Sequence, residues 1–131
     1  MQDDGRPARG RAGETMARLF LETRGYRALH ERLRVGRREL DLVVERGELL
    51  VAVEVKWRRV EAAGAVDARA AAAWGAAQRG RAHAAVLALM GMVDRGAERP
   101  WRFDLVLIEE HARGLALTHY PGAWTPRESF W

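Results

Sequence analysis

The chain contains no cysteine and no asparagine, and only one isoleucine and one lysine. Without cysteine there can be no thiolate zinc site, no disulfide and no cysteine nucleophile, and the redox compartment cannot be read from thiol usage. Long apolar runs are also missing. The longest, residues 84–93, is about half of the roughly 20 residues that a membrane-spanning helix needs. Residues 1–10 lack the apolar core of a signal peptide, so the expectation is a cytoplasmic protein with no membrane partner. There is no Walker loop, dinucleotide-binding glycine fingerprint or serine-centred elbow, which leaves nucleotide hydrolysis, dinucleotide chemistry and esterase activity without sequence support. His30, His83, His111 and His119 show no metal-ligand spacing and are read as incidental.

The scarcity of lysine is informative in itself. Of the 22 basic residues all but Lys56 are arginine, so the composition substitutes arginine wherever positive charge alone suffices. A guanidinium stays protonated and forked, whereas an ammonium is a compact charge whose pKa moves on burial. Lys56 therefore reads as chemistry. The 131 residues suit one domain, with 48% apolar and 31% charged residues, as in an ordinary folded protein. The net charge of +4 and pI near 10.5 suit a polyanionic partner, although arginine-rich composition accounts for part of that balance equally well.

Residues 1–9 have no periodicity and are expected to form a disordered basic tail, leaving 10–131 as a single domain. Residues 11–24 carry Met16, Ala17, Leu19, Phe20 and Leu21 at helical spacing, with Gly25 as the terminating residue. A strand is expected over 26–35. Residues 39–45 alternate Glu39, Asp41 and Val43 against Leu40, Leu42 and Val44. Residues 49–57 set Val51, Val53, Val55 and Trp57 against Glu54 and Lys56, and the short link between the two runs predicts an antiparallel hairpin. An alanine-rich helix over 66–90, a loop over 91–100, strands over 101–109 and 114–120 and an irregular tail complete the order.

If Gly47 and Glu48 form the turn, Arg46 faces Leu49, Asp41 lies opposite Glu54 and Glu39 opposite Lys56. Directly opposed residues have Cβ atoms roughly 5 Å apart, and like charges there destabilise a sheet. A Mg²⁺ or Mn²⁺ ion, which prefers carboxylate oxygens, would relieve that repulsion. Lys56 beside it could orient or deprotonate an attacking water, and Glu14 on the first helix could add a further carboxylate. The plainer alternative is a mutually neutralising cross-strand network on a solvated hairpin face, with Lys56 paired to Glu39.

Gly13-Glu14, then Arg38-Glu39-Leu40-Asp41-Leu42-Val43, then Val53-Glu54-Val55-Lys56-Trp57-Arg58, and later Arg102-Phe103-Asp104 resemble, in order and spacing, the YraN-like family of bacterial putative endonucleases. That family is similar to archaeal Holliday junction resolvases within the PD-(D/E)XK superfamily. The resemblance implies an α/β, restriction-endonuclease-like core: a mixed central sheet of about five strands flanked by helices. It implies further that Asp41 and Glu54 ligate Mg²⁺ or Mn²⁺ with the Val55 carbonyl, that Glu14 completes the acidic cluster, and that Lys56 stands beside the attacking water. Glu39 would hold Lys56 or Arg58 in place instead of touching the metal, and is not read as catalytic. Two departures stand out: Arg38 occupies a position where glycine is usual, and Ala77 one where lysine often precedes glutamine.

The expected activity is metal-dependent hydrolysis of phosphodiester bonds in DNA, branched DNA included. A homodimer would present two sites to opposite strands, as the resolvase resemblance suggests. Arg38, Arg58, Arg59, Arg79 and Arg81 are the candidate phosphate contacts. Trp57 and Trp74 are read as core, and Arg102 with Asp104 as a structural pair. Two alternatives remain: a noncatalytic nucleic-acid-binding module that keeps the nuclease architecture, and a protein-interaction domain that docks through the aromatic tail, residues 124–131.

Overall fold

A computed structural model describes residues 6–35, 38–60 and 90–124. Helix α1 (Arg6–Thr23) is followed by strands β1 (Arg27–Val35), β2 (Arg38–Arg46), β3 (Leu49–Arg59), β4 (Trp101–His111) and β5 (Gly114–Trp124). The strands form one sheet in the order β1-β2-β3-β4-β5. Every neighbouring pair is antiparallel except β3 with β4. The molecule is thus α/β, with the mixed five-stranded, helix-flanked sheet of a restriction-endonuclease-like core.

Local sequence explains most of these elements. α1 begins at Arg6, inside the stretch expected to fray, because Pro7 fits the first helical turn, where its missing N–H goes unmissed. The helix ends at Thr23 and is capped at Gly25, whose φ of +89° suits glycine. The Tyr26 and Gly25 amides donate to the carbonyls of Leu21 and Glu22, closing a Schellman cap. In the β2–β3 hairpin Arg46 pairs with Leu49, as a Gly47-Glu48 turn requires, and Gly47 takes a φ of +60° at the first turn position. The helix expected over 66–90 lies outside the described residues except for Met90, which sits in a turn. The link between the parallel strands β3 and β4 has ample length for a crossover.

Two apolar clusters cover the two faces of the sheet. Under α1, Ala17 and Leu21 pack on Leu42, Val44, Val51, Val53, Val106 and Ile108, with Val55 and Trp57 at the margin. On the other face Val43, Leu50, Ala52 and Phe103 pack with Val93. Strand β4 is buried from Phe103 to Glu109 and reads as the near-continuous apolar run expected of a strand covered on both sides. Among the described residues, no helix is long and apolar enough to cross a membrane.

One irregularity shapes the site. Leu42 packs under α1 while Leu40 packs on the opposite face, although strict alternation would put them together. The β1–β2 pairing runs from Glu31 with Leu42 to Leu33 with Leu40, so Arg32 lies opposite Asp41. Arg32 has a φ of +53°, a left-handed conformation that costs an L-residue about 1–2 kcal/mol. The hairpin turns over at this point, and Glu39 and Asp41 turn with it.

Candidate active site

α1 approaches the sheet closely enough to deliver Glu14 because residue 13 is glycine. A Cβ there would meet Trp57 at 3.2 Å, Ile108 at 3.4 Å and Val55 at 3.5 Å. Glu14 is accordingly 8% exposed. Its carboxylate meets those of Glu39 and Asp41, and one oxygen from each lies within 4.8 Å of the others. Glu39 is exposed and Asp41 half-buried, so the cluster runs from a closed floor at Glu14 to open solvent.

Asp41 occupies the point where β2 and β3 part. Their pairing ends at Leu42 with Val53, and the next amide of β3 on that side, Val55 N–H, donates to Asp41 Oδ2 at 2.8 Å. The side chain thereby replaces a ladder carbonyl and wedges the strands open. Burial raises the Asp41 pKa; the Val55 amide opposes this, the Glu39 charge adds to it, and Glu14 and the Lys56 ammonium pull it down. Glu14 is raised from 4.5 to about 7, first by burial and then by the Asp41 charge, with Arg32 lowering it and Glu39 raising it. Burial and crowding by like charge thus raise both carboxyls together. The Arg32 Nε stands 2.9 Å from Glu14 Oε1, yet that oxygen is buried and accepts no hydrogen bond. The guanidinium supplies charge there without alignment.

The expected site residues divide. Glu14, Asp41 and Glu39 come together, and the Lys56 charge reaches Asp41. Glu54 lies one step past the last β2–β3 pair, in register with Leu105 of β4, and is not one of the three converging acids. Val55 contributes its amide to Asp41. Arg58 stands 3.7 Å from buried Glu109, and Arg59 stands 3.5 Å from Glu110. Arg38 opens β2, while Arg79 and Arg81 lie outside the described residues, as do Trp74 and Ala77. Trp57 is half-buried and packs against the margin of the core, its indole N–H donating to Glu110 at 2.9 Å. Sequence reasoning missed Arg32, which carries no local signal; its importance comes from the strand reversal.

A second charged group, on β4 and β5, is met by its own partners. Asp104 is fully buried and accepts two bonds of 2.7 Å from Arg102 and one of 2.9 Å from the Gly122 amide, with His119 Nε2 at 2.7 Å. Burial acts to raise its pKa, but His119, Arg102 and the amide together hold it below the usual value. His119, read as incidental, is therefore an anchored residue.

The description that matches this arrangement is Uncharacterised protein family UPF0102, over residues 13–108, a span that includes Glu14 and the whole β2–β3 hairpin. The chain belongs to this family. It is the YraN-like family of the sequence resemblance. A UPF0102 protein of Maricaulis maris is 38% identical over 122 residues, covering 93% of this chain and 89% of its own length. One from Parvibaculum lavamentivorans is 39% identical over 129 residues, covering 93% of this chain and 90% of its own length. These two UPF0102 relatives thus match the chain over most of its length and of their own.

Proposed function

We propose that the protein is a Mg²⁺- or Mn²⁺-dependent endonuclease that hydrolyses phosphodiester bonds in DNA. One observation carries the reading: three carboxylates from α1 and β2 converge within 4.8 Å, beside the chain's only lysine. Three carboxylates drawn together, one of them buried, repel one another in a way that a cation bound among them would offset. The donor set fits a hard divalent cation, which takes carboxylate oxygens and leaves positions for water and phosphate.

Glu14, Asp41 and Glu39 would hold the cation, with Glu54 and the Val55 carbonyl as the further ligands that the family resemblance implies. Bound there, such an ion supplies Lewis acidity toward a phosphoryl oxygen. The protein's own groups do the rest. Asp41, pinned by the Val55 amide, fixes the point of the cluster between the parted strands. Lys56 places its side-chain nitrogen beside it: as the ammonium it can orient the attacking water or offset charge growing on the phosphate, and as the neutral amine it can take the water's proton. Exposed Glu39 marks the side from which a DNA strand enters. Positive charge from Arg58 and Arg59 would add sequence-independent affinity on the same strand, β3. A two-fold dimer would present two such sites to opposite strands, which suits branched DNA.

A cleavage screen over branched, linear and single-stranded DNA, with Mg²⁺ or Mn²⁺ and with Asp41→Ala as control, tests the proposal. Metal-dependent cutting lost in the variant is expected. DNA binding without cutting under every condition would instead favour a noncatalytic module that keeps this architecture.

A further inference from the structure

We propose that the end of the sheet remote from the acidic cluster carries a second ligand site, which takes a phosphate ester of a nucleotide or nucleic-acid strand. It is a cleft of about 490 Å³ between the C-terminal end of α1 and strand β5, and Arg24, Arg46, Arg102 and His119 line it. Its floor is built rather than incidental. Fully buried Asp104 grips Arg102 through two bonds of 2.7 Å and holds His119 at 2.7 Å, while Arg102 donates to the Tyr26 hydroxyl at 2.6 Å. Asp104 thus accounts for the charge of Arg102 and leaves the other two guanidiniums uncompensated. Among the described residues no carboxylate pairs with Arg24 or Arg46.

Those two guanidiniums lie over aromatic rings, Arg24 at 4.9 Å from the Phe20 centroid and Arg46 at 4.3 Å from that of Tyr26. Stacking fixes a guanidinium plane and leaves its N–H edge for a forked contact, the geometry that matches phosphate oxygens. The negative end of the α1 dipole opposes an anion here, but Arg46 already donates to the Arg24 carbonyl at 3.4 Å and covers part of that end. The volume exceeds what a bare ion needs, and Phe20 and Leu117 give the wall apolar area for a sugar or base. Glu14 and Arg24 are ten residues apart, about 15 Å along the helix direction. At about 3.4 Å of rise per nucleotide, that span is roughly four nucleotides of one strand. The strand assignment rests on the nuclease reading above; the phosphate site does not.

The test uses the full chain without added metal. Wild type and Arg24→Gln/Arg46→Gln are titrated with deoxyadenosine monophosphate by NMR, following His119 and Thr118, and with a short single-stranded DNA by fluorescence anisotropy at several salt concentrations. Both arginines are exposed, so the variant should fold, and its thermal unfolding confirms this. Expected are saturable shifts at His119 in wild type, at least about tenfold weaker binding in the variant, and a salt slope for DNA reduced by about two. Binding of DNA alone assigns the site to a strand, and binding of the mononucleotide alone assigns it to a free nucleotide. Unmoved His119 resonances, or equal affinities in the two proteins for both probes, would overturn the site. Cleavage with affinity unchanged in the variant would remove this site and keep the nuclease, whereas pocket binding without any cleavage would do the reverse.

Discussion

Glu14 and Asp104 are both buried carboxylates on the same small scaffold, and their surroundings differ in kind. Asp104 has an arginine fork, a histidine and a backbone amide, and its pKa is lowered despite burial. Glu14 has two other carboxylates, an arginine that approaches without a hydrogen bond, and a pKa raised to about 7. A buried charge that is fully met by donors stabilises a fold; one crowded by like charges burdens it unless a cation arrives. The first pattern holds the fold together; the second leaves a repulsion that a bound cation would relieve.

The contrast can be broken most sharply through Lys56. Lys56→Ala is expected to cut more slowly by about 100- to 10,000-fold while unfolding at the wild-type temperature, as measured by single-turnover cleavage and calorimetry. Lys56→Arg keeps the charge, so activity surviving in it would restrict Lys56 to electrostatics. Asp104→Ala should act in the opposite sense. It strands the Arg102 guanidinium and should cost about 3 kcal/mol in urea unfolding. Glu39→Gln, by relieving repulsion, should stabilise the metal-free protein by up to about 1 kcal/mol and weaken Mn²⁺ binding, read by denaturation and calorimetric titration. Equal destabilisation by the two substitutions would erase the distinction between the regions.

Gly13→Ala sharpens the packing side of the comparison. The added methyl would press on Trp57, whose indole is tied to Glu110, so α1 should shift at a net cost of about 1 kcal/mol and carry Glu14 away from Asp41. Weaker Mn²⁺ binding with an intact Asp104 network in NMR would show it.

The smallest effect is on pH. The Glu14 carboxyl is raised from 4.5 to about 7, so the folded protein holds an extra proton between those values. Its stability is therefore full below 4.5 and declines as pH rises through 7, and thermal unfolding without metal should occur at lower temperature near pH 8 than near pH 5. Saturating Mn²⁺ should remove that decline. Asp104, being lowered from 3.8, loses its contribution only in acid below that value and leaves the same window flat.

Much of this was legible in the chain. Alternation and turn chemistry located five strands and the first helix, and the hairpin register followed from a two-residue turn at Gly47. The strands run further than their apolar patterns, β3 to Arg59 and β5 to Trp124, because pairing with neighbours continues where hydrophobicity stops. The acids were recognisable as a group, but their partners were not. Alternation assigned Glu39 and Asp41 to the face of Val43, whereas the reversal at Arg32 carries them to Glu14 on α1. Nothing near residue 32 in the sequence announces that reversal.

By itself, then, the sequence determined the elements, the hairpin register and a lone lysine beside paired acids, because each depends on periodicity or on residues close in the chain. Only the tertiary structure decided which carboxylates converge, that Arg32 guards them, and that Asp104 is satisfied while Glu14 is not. Those outcomes depend on how a helix and two twisted strands meet. Contacts between residues far apart in sequence are set by packing and desolvation, which no local pattern encodes.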